Sequence, residues 1–275
     1  MIEWVGSWPD EVKPELERFA EALAAHERGY PIEGRMVIVS GSDGRGLKEW
    51  MKPDAYADYC EKAKQQPVVA SGKTFVAHDG IVTAVVSRYA EPDDQLVLCS
   101  HELIEMADLR RAEDEGWVYP EDARELLGIV FADEYATERL REEIAQQLGW
   151  PFADTHDEMA LVRLADHIRE AMPTPRYDPP PDDFWGYWQT LARMWSMTCA
   201  RRLTSPKAEE ALVAWSRHPM IDDGWAPVES ALAEFYDLSD HDRDELVRFA
   251  AERIWDPIEQ GGRDAWTLGL GPGPG

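Results

Sequence analysis

Positive charge is scarce in this chain of 275 residues: 28 Lys and Arg stand against 54 Asp and Glu, a formal charge of −26. A surface so acidic repels phosphate backbones and anionic headgroups, which excludes nucleic acid and membrane surfaces as expected partners. Thiols are few as well. Cys60, Cys99 and Cys199 are an odd number, far apart, with no Cys-x-x-Cys pair. That pattern excludes a disulfide framework and a thiolate zinc site. Long apolar runs are missing: even Phe184 to Cys199 is interrupted by Gln189 and Arg193, so no segment reads as a bilayer span. The opening Met1-Ile2-Glu3-Trp4 leads into acidic helical sequence rather than a basic and then apolar leader, and the expectation is a cytoplasmic protein. No Gly-x-Ser-x-Gly or Cys/His nucleophile arrangement is present.

What remains suits a folded protein. Hydrophobic residues make up 44 % and charged residues 30 %, and twelve tryptophans supply large apolar surfaces for a core. Residues 10–28 carry Val12, Leu16, Phe19, Ala20 and Leu23 at helical spacing, with Asp10 placed to cap the helix. Arg35 to Ser40 is a β-rich run. The loop Gly41 to Gly46 after it lacks the Lys-Ser/Thr of a phosphate loop and the dinucleotide spacing, so it reads as a turn. Residues 54–64 read as helix. Strand-like runs at 74–77 and 81–88 are separated by His78-Asp79-Gly80, a hairpin signal. Helical patterns follow over 96–106, 123–148 and 157–172. Five prolines between 173 and 183 exclude regular helix there, and this stretch reads as a linker. Beyond it the pattern is helical at 184–203, 206–217, 226–236 and 241–255, and the Gly/Pro-rich 269–275 is a flexible tail.

One segment is chemically loaded: Leu96-Val-Leu-Cys-Ser-His-Glu-Leu-Ile-Glu-Met-Ala-Asp108. On a helix His101 and Glu105 face the same way, with Asp108 one turn on. The surrounding positions are apolar apart from a stripe of His101, Glu102, Glu105 and Asp108, so the helix should be buried. Buried carboxylates and imidazoles need partners, and a metal ion would satisfy all of them together. Without an ion, His101 would be a core histidine bonded to a carboxylate and Glu102 would face solvent. His156 and His167 carry no further sign of a site. Trp185, Tyr187, Trp188 and Trp195 read as a core seam of the C-terminal helices.

The segment resembles the active-site helix of zincin metallopeptidases, His-Glu-x-x-His. Its setting, strands before the helix and a second helix after it, is similar to compact gluzincins of the ImmA/IrrE type over roughly residues 70–148. In that family the two histidines bind zinc and the intervening Glu activates the metal-bound water. The resemblance therefore implies His101 and Glu105 as metal ligands and Glu102 as the catalytic group. Glu105 departs from the pattern by standing in place of the second histidine. The family implies zinc, and the harder carboxylate-rich donor set makes manganese or iron more suitable than usual. It also makes any bound water less acidic and weakens peptidase chemistry. A third ligand would come from the next helix, where Asp133 lies in the apolar stripe Ile129, Ala132, Ala136, Leu140, Ile144, while Glu134 fits the family spacing and lies nearer a charged face with Glu138 and Arg141. Both stay open.

The expected architecture is α+β: a zincin-like domain over 1–172 with a small antiparallel or mixed sheet, the linker 173–183, a helical domain over 184–268 and the tail. The expected function is metal-dependent hydrolysis of a peptide or protein substrate. The alternative is a non-catalytic, acidic interaction protein on a degenerate zincin-like scaffold.

Overall fold

A computed structural model of the chain describes residues 1–40, 45–65, 72–116, 123–150 and 243–256. The elements are β1 (Ile2–Val5), α1 (Val12–Ala25), β2 (Gly34–Val39), a 3-10 turn (Arg45–Glu49), α2 (Pro53–Gln65), β3 (Gly72–Val76), β4 (Val82–Ser87), α3 (Pro92–Glu115), α4 (Ala123–Leu148) and α5 (Arg243–Phe249), which continues as π-helix over Ala250–Trp255. The chain forms two compact units, one of residues 1–118 with 139–153 and the other of residues 119–138 with 154–275. The expected helix at 157–172, the linker and the helices between 184 and 236 lie outside the described residues.

The first unit is built on a mixed four-stranded sheet in the order β1-β2-β4-β3. β1 with β2 and β2 with β4 are parallel, and β3 with β4 is antiparallel. The central strands carry Met36-Val37-Ile38 and Val82 to Val86, all buried, because a strand covered on both faces must be apolar at successive positions. Alternation sends Met36, Ile38, Val82, Ala84 and Val86 to one face, against α1, α3 and the end of α4. Val37 and Val85 go to the other face, against Leu47, Met51, Trp50 and α2. The helical spacing in α1 is met by Val12, Leu16, Phe19 and Leu23, each fully buried. Trp150 closes this core by stacking on Phe19 at 5.3 Å and donating its indole N–H to Glu15 at 2.8 Å. The hairpin turns at Gly80, whose φ of 81° is the left-handed conformation a glycine adopts without strain.

Four expectations need correction. Asp10 does not cap α1: Glu11 takes the cap position without a side-chain bond, because the Pro9 carbonyl accepts the N–H groups of Val12 and Lys13 instead. The first residues do not run straight into helix but form β1, whose four residues are too few to show an alternating pattern. Ala136 is exposed. The supposed charged face of α4 is buried, with Glu138 at 1 % and Arg141 at 0 % exposure. In the second unit Gly128 of α4 lies against α5, where an added Cβ would stand 2.7 Å from the Val247 carbonyl oxygen.

Candidate metal centre

α3 delivers the loaded segment to the sheet. Pro92 stands in its first turn, where a missing N–H costs nothing, and Asp93 and Asp94 favour the positive helix end. Gln95 ties the start of α3 to the end of β4. Its side-chain amide donates to the Ser87 carbonyl at 3.1 Å, and its oxygen accepts the Tyr89 N–H at 2.7 Å. Gln95 is fully buried, so these bonds are shielded from water. Two turns on, the same helix presents His101, Glu102 and Glu105. The helix ends much later, at Gly116 with φ 71°, so the segment sits mid-helix and does not fray.

The side chains divide by depth. Leu103, Ile104 and Met106 are in the core. Glu102 is also buried, at 4 % exposure, which corrects the expectation that without an ion it would face solvent. It lies under β3 instead, where the Thr74 hydroxyl donates to its Oε2 at 2.5 Å. His101 and Glu105 are more open, at 15 % and 31 %, and are joined through Nε2 and Oε1 at 3.2 Å. Asp108, the fourth member of the stripe, is paired with Arg111 at 2.8 Å.

Burial pushes the Glu102 carboxyl up to about 8, and the negative Glu105 beside it pushes the same way; His101 and the Thr74 hydroxyl pull against them. The Glu105 carboxyl lies close enough to Glu102 to oppose its ionisation. Cys99, one turn earlier and fully buried, is pushed up to about 12 by burial, which keeps it a thiol and no ligand.

Among the described residues, His101, Glu102 and Glu105 form a group whose donor atoms lie within 4.8 Å of one another. Ligands sharing a divalent ion at about 2.1 Å each stand no more than roughly 4 Å apart, so His101 and Glu105 are close enough to share one ion, with the Glu102 carboxyl beside it. An imidazole and a carboxylate suit such an ion chemically, and its charge would offset the repulsion between Glu105 and Glu102. The residues fit the group that the sequence implied. Asp133, half-buried, and Glu134, whose side chain is not among those described, belong to the second unit. His156 and His167 lie outside the described residues. Thr74 and Gly72 were not singled out from the sequence. The available signal was the alternation of residues 72, 74 and 76 on one strand face, but no local pattern says which helix that face will cover.

No protein-family model, curated protein or solved structure matches the chain. Among the described residues no helix is long and apolar enough to cross a membrane.

Proposed function

We propose that this chain binds a divalent cation at His101 and Glu105, with Glu102 beside it, and uses the site to hydrolyse a peptide or protein substrate. The observation that carries the reading is the gathering of one imidazole and two carboxyls within 4.8 Å on the part of α3 that packs under the sheet. The zincin resemblance supplies the reaction class. A divalent ion bound here would supply Lewis-acid chemistry, polarising a carbonyl and acidifying water. His101 and Glu105 would hold it, and Glu102 would accept a proton from the attacking water and return it to the leaving amine. Glu105 in place of a second histidine hardens the site towards manganese or iron and slows hydrolysis relative to a two-histidine site.

The test measures bound metal in protein purified without chelator, for the wild type and His101→Ala, followed by cleavage of an unbiased peptide library by the wild type and Glu102→Gln. The expected result is metal in the wild type alone and cleavage abolished by Glu102→Gln. Metal binding without any cleavage would remove the hydrolase half of the proposal. The bond from Thr74 to Glu102 favours a second reading, in which the group is a self-satisfied polar patch in a non-catalytic interaction protein. A wild type free of metal and equally stable with and without EDTA would establish that one.

A further inference from the structure

We infer that β3 is the positioning element of this centre, with Gly72 and Thr74 together seating the Glu102 carboxyl; the inference rests on the metal reading above. Residues 72, 74 and 76 share one face of β3, the face turned to α3. Thr74 grips one carboxyl oxygen of Glu102 at 2.5 Å. Gly72 provides the floor: an added Cβ there would collide with Oε1, the other oxygen, and would stand 2.7 Å from the carboxyl carbon and 2.9 Å from Cγ. The carboxyl therefore lies flat on a bare backbone, held at one oxygen by a hydroxyl and packed at the other. A glutamate has three rotatable side-chain bonds, and its carboxyl is useful to an ion or a water only if it waits in one place. β3 holds it there without touching the ion itself. The β3–β4 ladder from Gly72–Val86 to Val76–Val82 is itself formed by backbone.

Groups that orient a metal's carboxylate or imidazole change its affinity by about 10- to 100-fold when removed. The experiment uses the full chain and titrates Co²⁺ and Mn²⁺ into the wild type, Thr74→Val, Thr74→Ser, Gly72→Ala and His101→Ala. Affinity and the Co²⁺ visible spectrum are read together with melting in EDTA. Thr74→Val should bind about 10- to 100-fold more weakly with an altered spectrum, and Thr74→Ser should restore both. Gly72→Ala should also weaken binding, since its methyl would push the Glu102 side chain from Cγ outward off its seat. That variant decides the matter if Thr74→Val does not fold. A merely structural role would lower the melting temperature and leave affinity and spectrum alone. If the wild type binds while Thr74→Val and Gly72→Ala bind equally well, β3 has no positioning role and the metal reading stands. If the wild type itself binds neither ion, the metal reading fails and this inference goes with it.

Discussion

Replacing Glu102 by Gln keeps the shape and an oxygen for the Thr74 hydroxyl but removes the ionisation. In the metal-free protein Glu102 is raised from 4.5 to about 8, chiefly by burial. The folded chain therefore holds a proton that the unfolded chain has already released between those two values. A carboxyl raised in this way destabilises the fold as pH rises: its contribution is complete below about pH 4.5 and is lost progressively up to about pH 8. At about 1.4 kcal/mol per unit, the window corresponds to a loss on the order of 5 kcal/mol, and full burial leaves no solvent screening to discount. The Glu102→Gln protein has nothing to ionise at this position and shows none of this loss. Urea unfolding in EDTA at pH 5, 6, 7, 8 and 9 is the assay, with the difference between the two proteins as the readout, since every other titrating group is common to both. The wild type should fall away from Glu102→Gln by several kcal/mol from pH 5 to 8 and run parallel above that. Two curves parallel throughout would refute the buried, protonated carboxyl and with it the account of how Glu102 and Glu105 coexist.

Adding Mn²⁺ should erase most of that gap. A cation favours the ionised Glu102 carboxyl, so binding should release protons and tighten from pH 6 to pH 8, as calorimetry in buffers of different ionisation enthalpy would show. At saturating metal, roughly 100 times the dissociation constant, the wild type should gain about 3 kcal/mol of stability and His101→Ala none. Gln95→Leu is a structural control. It removes the bonds that Gln95 makes to the Ser87 carbonyl and the Tyr89 N–H and should cost about 1–3 kcal/mol in urea unfolding, with the metal affinity of the folded protein unchanged.

Much of the scaffold was legible because two periodicities dominate it. Val12, Leu16, Phe19 and Leu23 repeat every three to four residues, and all of them are buried. The hairpin announced itself through Asp79-Gly80, with Asp79 accepting the Ile81 N–H and glycine taking the left-handed position. β1 was illegible because its stability comes from pairing with β2, about thirty residues later, and not from its own four residues. The face of α4 misled for a different reason. Charge alone does not fix exposure on a helix, and Glu138 and Arg141 are buried despite theirs. Within the candidate site the sequence supplied His101, Glu102 and Glu105 because they share one helix. Thr74 and Gly72 arrive from 28 and 30 residues upstream through the sheet order, which no local pattern encodes. The depth of Glu102 was misjudged on the same ground: its cover is a strand, not a neighbour on its own helix.

The residue that gives this centre its character is Glu105. With a histidine there, Glu102 would face a neutral neighbour, and two imidazoles would present soft nitrogen donors to an ion. With a carboxylate there, two acids meet beside one imidazole, and the charge of Glu105 opposes the ionisation of Glu102. Proton and metal thus compete for one place, which ties metal uptake to pH more tightly than in a two-histidine site. Glu105→His tests this directly, and the position has room, since the Glu105 side chain is 31 % exposed. The variant should lose part of the upward push on Glu102, so its stability should fall less steeply between pH 5 and 8 than that of the wild type. Its zinc affinity should rise relative to manganese, as nitrogen replaces oxygen among the donors. Should the ratio of zinc to manganese affinity and the pH slope both stay where they were, Glu105 contributes neither a ligand nor a charge to the centre, and the gathering of these three side chains on α3 has no chemical consequence.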